Sequence, residues 1–169
     1  MAEAQIKNEL ACSEDVFWEK LFFNTEFNRR LFLTELGFVQ WKILSEKTTD
    51  DFIERELDVT PKVTDVPGPV KAVIGDSLGY HEHGRYDRKR RRYAVKATSP
   101  VLGERFLLEG EMYTEPVAEN RCRRIFSVKV TTKVFGVGGL IEKRVIADLE
   151  KSYAESAKFI GKYVQENQL

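Results

Sequence analysis

The stretch NRCRRIFSVKVTTKVFGVGGLIEKRVIADLEKSYAESAKFIGKYV, Asn120 to Val164, decides the fold. Its first part alternates with a period of two. Cys122, Arg124, Phe126, Val128, Val130, Thr132 and Val134 fall on one face, against Arg123, Ser127, Lys129, Thr131 and Lys133. That is a strand, about 120–134, with one apolar and one wet side. Phe135-Gly136-Val137-Gly138-Gly139 breaks the pattern, and the period then changes. Ile141, Val145, Leu149, Tyr153, Ala157, Ile160 and Val164 step by three or four, so a helix is expected over about 140–166. Glu142, Lys143, Glu150, Lys151, Glu155, Lys158 and Lys162 are expected on its solvent face.

Working toward the N-terminus, strands are expected at about 104–114, 91–98 and 79–87. Phe106, Leu108, Gly110 and Met112 share a face in the first of these, which puts Glu111 toward solvent. Pro61, Pro67, Gly68 and Pro69 mark a loop, followed by one or two helical turns carrying Val70, Val73 and Ile74. Two further strands, Phe38–Ser45 and Asp51–Thr60, meet at the polar turn Thr48-Thr49-Asp50-Asp51. Val39, Trp41 and Ile43 share a face in one; Ile53, Arg55, Leu57 and Val59 do so in the other, opposite Glu54, Glu56 and Asp58. Ser13 and the Asn24-Thr25 break cap two short helices, the second stopping at Gly37, and a short strand precedes them at 4–11. The order predicts an α+β domain over residues 1–169. A curved antiparallel sheet of about seven strands grips one long C-terminal helix, and two short helices follow the first strand. A sheet wrapped around a single helix leaves room for a cavity between them.

Composition narrows the function classes. The chain has 169 residues, with 27 Lys+Arg against 27 Asp+Glu, 42% hydrophobic and 11% aromatic. That is too apolar for a disordered chain, and the charges are spread too evenly for a membrane span. The balanced charge argues against nucleic acid as a partner. No basic region followed by an apolar run opens the sequence, so a cytoplasmic location is expected, with Cys12 and Cys122 reduced. His81 and His83 could share a strand face, but no ligand cluster with metal spacing accompanies them, and neither metal nor cofactor is expected. No nucleophile elbow or Gly-rich phosphate loop occurs, and no catalytic residue is assigned.

Three segments resemble a known superfamily. They are Ile6 through Trp18, Val66-Pro67 through Ile74-Gly75-Asp76-Ser77-Leu78, and Val130 through Glu142, where Val137-Gly138-Gly139-Leu140-Ile141-Glu142 is the most specific piece. The chain resembles the START-like helix-grip (SRPBCC, birch-pollen-allergen-like) superfamily, and more closely an uncharacterised bacterial START-like family within it. It is more weakly similar to START-like sterol-transfer domains. The resemblance implies a hydrophobic cavity without fixing its ligand, since such folds host carriers, receptors and cyclases.

The expected cavity wall is Trp41, Ile43, Ile53, Arg55, Leu57, Phe106, Leu108, Met112, Phe126, Val128 and Val130 from the sheet, with Val73 from the helical turns after the proline loop and Leu149, Tyr153 and Ala157 from the long helix. Gly110 and Ala157 are small and would widen it. Arg55 is the sharpest residue, because an inward guanidinium needs a partner: an inward group such as Tyr153, a ligand's polar head, or water at a strand end. Arg124 is also formally inward. Arg88, Lys89, Arg90 and Arg91 form a basic turn, either a solvated hairpin or a dock for an anionic membrane. The loops Val66–Leu78 and Phe135–Gly139 are the expected gates. The expected function is binding and transport of a hydrophobic or amphipathic small molecule: a sterol, fatty acid or phospholipid. A cyclase/dehydratase-type enzyme and a ligand-free protein-interaction module are the alternatives, and the oligomeric state stays open.

Overall fold

The computed structural model describes residues 1–62, 65–76 and 78–169, so Ser77 of the Val66–Leu78 segment lies outside the described residues. Strand β1 (Ala2–Leu10) leads into α1 (Glu14–Val16, continued as a π-helical turn Phe17–Leu21) and α2 (Thr25–Arg29, continued as Arg30–Glu35). Ser13 Oγ accepts from the Val16 N–H at 3.2 Å and Asn24 Oδ1 from the Phe27 N–H at 2.9 Å, so both caps sit where the sequence put them. The wider π turns rotate the following side chains, and Phe17, Trp18 and Leu21 are all buried. Asn28, buried, donates to the carbonyls of Phe22 and Asn24 at 2.8 Å and closes the junction of the two helices.

Then come β2 (Gln40–Thr48), β3 (Phe52–Thr60), α3 (Gly68–Ile74), β4 (Tyr80–Asp87), β5 (Arg92–Ser99), β6 (Gly103–Ala118), β7 (Arg121–Thr132) and α4 (Gly138–Asn167). The seven strands form one antiparallel sheet in the order β1-β7-β6-β5-β4-β3-β2. The first strand thus pairs with the last, and α4 lies against both β1 and β7. This is the START-like helix-grip fold, one seven-stranded sheet around a long C-terminal helix.

Three details differ from the sequence reading. Val39 leaves Gly37, whose φ is +66°, before the strand begins, and it points into solvent at 72% exposure instead of sharing Trp41's inward face. Strand β6 runs on through Pro116 to Ala118, with a register shift between those residues that accommodates the missing N–H. Glu142 is buried instead of solvent-facing. Its carboxylate accepts the Thr132 N–H at 2.7 Å and pairs with the Met1 amino group, so it ties the start of α4 to the end of β7. No helix among the described residues is long and apolar enough to cross a membrane.

Candidate functional site

The lateral position of α4 creates the cavity. The helix packs directly on β1 and β7, and a gap remains between its side chains Val145, Leu149 and Tyr153 and the inward faces of β3, β4 and β5. The gap is roofed by α3, which contributes Val70 and Ile74, and by Phe22, Asn28, Phe32 and Phe38 from the N-terminal helical segment and the turn after it. It encloses about 180 Å³, a volume in the range of the 150 Å³ apolar cavity that accepts benzene.

Of the residues expected on the wall, Trp41, Arg55, Leu57, Leu108, Met112, Phe126, Leu149 and Tyr153 line it. The others do not. Val128 and Val130 are buried on β7, which α4 covers, and Phe106 is buried on β6 with its ring 5.6 Å from that of Tyr80. Ile43 lies at the register shift in β2 and packs in a satellite cluster with Trp41, Leu57 and Val59. Ile53 sits at the hairpin end of β3, beyond the cavity. Val73 flanks α3, whose i,i+4 pair Val70 and Ile74 faces inward instead. Ala157 is a turn past Tyr153, beside Ser156, where α4 is already on the sheet. Gly110 does not widen the cavity either. A Cβ there would strike the Phe126 ring and the Ser127 carbonyl, so the glycine lets Phe126 lie flat across β6 and stack on Tyr153 at 5.2 Å.

Polar chemistry concentrates at one place on the floor. Arg55, 5% exposed, donates from Nε to the Tyr93 hydroxyl at 3.1 Å, and that hydroxyl donates to Glu82 Oε1 at 3.1 Å. The guanidinium also lies 4.9 Å from the ring centre of Phe22, 5.1 Å from Phe23 and 5.3 Å from Tyr93, a cation held among π faces. Its partner is therefore Tyr93, not Tyr153. The surface that Glu82 leaves open belongs to the cavity wall, so burial pushes its carboxyl above the usual range, opposed by the Arg55 charge and the Tyr93 hydrogen bond. Burial likewise raises Tyr93, with the Glu82 charge adding to it, and keeps it a neutral phenol. Gly84 makes the relay possible: in register between Arg55 and Val95, it leaves the space that the end of the Tyr93 ring occupies. Tyr93, Glu82 and Gly84 were not among the expected site residues. The outward direction of His81 and His83 was the available signal, since alternation then turns Glu82 inward.

The family described as "Protein of unknown function (DUF2505)" matches residues 11–164. The chain belongs to that family. No curated protein matches it. Solved structures align over nearly its full length at low identity. The Zhui aromatase/cyclase from Streptomyces sp. R1128 has a TM-score of 0.65 and 14% identity, covering 99% of this chain and 96% of the other. A START superfamily protein from Mycobacterium smegmatis gives 0.59 and 14%, covering 94% and 98%. Norcoclaurine synthase from Thalictrum flavum, a point mutant in complex with a transition-state analogue, gives 0.61 and 18%, covering 99% and 96%. These place the DUF2505 chain in the START-like fold.

The second inward arginine of this DUF2505 protein has a different job. Arg124 Nη2 donates to Asn8 Oδ1 at 3.3 Å, to the Tyr153 carbonyl at 2.9 Å and to Ser156 Oγ at 2.9 Å, clamping α4 to β1 and β7. It is absent from the cavity wall, its Nε is buried without a partner, and burial lowers its pKa. With no carboxylate to strand, Arg124→Met is expected to change unfolding free energy by no more than about 1 kcal/mol in denaturant titration. A loss of several kcal/mol would show that the clamp is essential.

Two of the four basic side chains of the turn, Arg88 and Arg91, are engaged within the molecule. Arg91 pairs with Asp15 at 2.6 Å and Glu19 at 3.5 Å, and Arg88 donates to the Thr49 carbonyl at 3.1 Å. The backbone N–H groups of Lys89 and Arg90 are held by Asp87 Oδ1 at 3.0 Å. His81 and His83 face solvent and meet the cross-strand acids, His81 with Asp58 at 3.1 Å and Glu56 at 3.7 Å, His83 with Glu56 at 3.8 Å. At the expected gates, α3 lines the cavity while Phe135 is fully exposed at the tip of the β7–α4 loop.

Proposed function

We propose that this protein binds a hydrophobic or amphipathic small molecule beneath α4 and carries it, shielding it from water. The observation that carries this reading is the union of an aromatic and aliphatic wall with one buried polar relay, Arg55–Tyr93–Glu82. Apolar surface entering such a cavity gains about 25 cal/mol per Å² removed from water, and the relay orients the polar end. A volume of 180 Å³ suits a small ring system or one segment of a lipid better than a whole sterol or phospholipid within the walls. Native mass spectrometry of protein purified from cells, followed by solvent extraction, is expected to reveal a co-purified apolar ligand, recovered chemically unchanged. Repeated ligand-free spectra with no uptake of labelled lipids would overturn the reading.

A second reading, an acid–base enzyme of the cyclase/dehydratase kind, is favoured by Glu82 itself. A carboxyl with a raised pKa beside a phenol and a guanidinium is a proton-transfer set inside a mostly apolar cavity. Recovery of transformed product, with turnover abolished by Glu82→Gln, would select it over the carrier. Contact with an anionic membrane, if it accompanies carriage, rests on Arg88, Lys89 and Arg90, since Arg91 is committed to Asp15 and Glu19. Each free basic group is worth about 1 kcal/mol at such a surface, so charge reversal at these three positions is expected to abolish binding to anionic liposomes at low salt. Unchanged binding would leave the turn a solubility feature only.

A further inference from the structure

Arg55 is a buried cation without a matching anion. Among the described residues no carboxylate lies within ion-pair distance of it; its direct partners are the Tyr93 hydroxyl, the Phe22 carbonyl at a long 3.5 Å, and three ring faces. Its Nη2 makes no hydrogen bond among the described residues and is not sealed off, so those donors are left to the cavity that Arg55 lines. The other charged pair on the wall satisfies itself, Arg144 Nε lying 3.0 and 3.1 Å from the two Asp148 oxygens. A guanidinium buried among rings is poorly compensated, and one further anion would complete it.

We propose that the cavity is a receptor for a small apolar monocarboxylate, one or two rings in size, whose carboxylate pairs with Arg55. This rests on the hydrophobic-ligand reading above and names the ligand's class. The charge inventory selects a single negative charge. Arg55 brings one positive charge with no carboxylate at ion-pair distance among the described residues; a dianionic phosphate would leave a charge unpaired, and a neutral hydroxyl would leave the guanidinium as it is. Size selects the body, since a 180 Å³ space walled by Phe22, Trp41, Phe126 and Tyr153 matches a flat ring system and not a long chain.

Binding is then linked to protons. The groups facing Glu82 are Arg55 on β3, Tyr93 on β5 and Tyr153 on α4. Tyr80 on its own strand and the Arg144–Asp148 pair on α4 share its cavity. The two N-terminal helices contribute Phe22, Asn28 and Phe32, α3 contributes Val70 and Ile74, and β6 and β7 contribute Leu108, Met112 and Phe126, none of them charged. If Glu82 were ionised, Arg55 would face two carboxylates, so the ligand enters with uptake of one proton wherever the empty site has lost it. Affinity for the anion therefore falls with rising pH, by up to about tenfold per pH unit above the Glu82 pKa of the empty protein.

The test is calorimetric titration of the purified, delipidated protein with 2-naphthoate, its neutral analogue 2-methylnaphthalene, and palmitate, from mildly acid to alkaline pH. The expected result is 2-naphthoate bound at least about tenfold more tightly than 2-methylnaphthalene at mildly acid pH, a preference lost in Arg55→Leu. Its affinity should fall with pH in the wild type and stay level in Glu82→Gln, an isosteric change. Equal binding of 2-naphthoate and 2-methylnaphthalene by the wild type overturns the carboxylate assignment and leaves the hydrophobic-ligand reading standing. Binding of neither probe, with clean ligand-free mass spectra, removes both. Tighter binding of palmitate than of 2-naphthoate overturns the size class in favour of a fatty acid. A slope with pH that survives Glu82→Gln overturns the proton linkage. Because the wild-type comparison already decides the class, the proposal stays testable even if Arg55→Leu does not fold.

Discussion

Gly84→Val is expected to destabilise the protein by about 3 kcal/mol in denaturant unfolding and to abolish ligand uptake. The residue looks incidental in sequence, a glycine in the middle of β4, where a side chain would normally strengthen the strand. Its role is to be empty. A Cβ at this position would overlap the Tyr93 hydroxyl and the end of its ring, and the backbone on either side is fixed by pairing with Arg55 and Val95. The ring would have to leave, and it is packed edge-on against Phe22 at 4.8 Å and Phe23 at 6.3 Å. Displacing it breaks the link between Arg55 and Glu82 at the same time. The cost is therefore steric and electrostatic together. A second-site change, Tyr93→Ala, should recover part of the stability by vacating the space, without restoring ligand uptake. If Gly84→Val unfolds at the same denaturant concentration as the wild type, the ring does not occupy that space.

The contrast between Gly84 and Arg55 shows what the sequence made legible. Periodicity located all the strands and the long helix, because each period follows from local geometry that neighbouring residues share. It also turned Arg55 inward. It could not say what Arg55 meets, since Tyr93 lies two strands away on β5 and reaches over β4 through the gap at Gly84. Cross-strand register, set by turn lengths and bulges, decides that meeting, and single-strand alternation does not contain it. The same holds for His81 and His83, whose acidic neighbours Glu56 and Asp58 lie across the ladder on β3. Cavity placement is not contained in single-element periodicity for a related reason. The apolar stripe on α4 fixes which face of the helix is buried but not which strands lie beneath it. Its seat over β1 and β7 turned Val128 and Val130 into packed core and left the opening above β3 to β5. The burial of Glu142 is not legible in the helix period either, because its role depends on the N–H of Thr132 at the end of β7.

Arg55→Leu is expected to cost about 2 kcal/mol at mildly acid pH and 3–5 kcal/mol at alkaline pH, a slope that identifies Glu82 as the group left behind. In acid the loss is the Tyr93 hydrogen bond and the three ring contacts, with Glu82 neutral and undemanding. The sign of the pH dependence follows from burial. Glu82 is held above its ordinary pKa in the folded protein, so the folded state binds the proton more tightly than the unfolded one. The stability associated with that carboxyl is complete below the unfolded pKa and is lost as pH rises through the folded one. Arg55 opposes the rise in pKa, so its removal moves the folded value further up and widens the window over which stability falls. Glu82→Gln removes the titration and should flatten the corresponding part of the stability curve. The double variant Arg55→Leu/Glu82→Gln should then be more stable at alkaline pH than Arg55→Leu alone, although it carries one more substitution. Buried charge explains that inversion: two apolar-compatible side chains cost less than one carboxylate without its cation. Chemical denaturation of the wild type, both single variants and the double at matched pH values measures the coupling directly. A pH-independent loss in Arg55→Leu, with no recovery in the double variant, would mean that the guanidinium acts through packing alone and that Glu82 does not sense its charge.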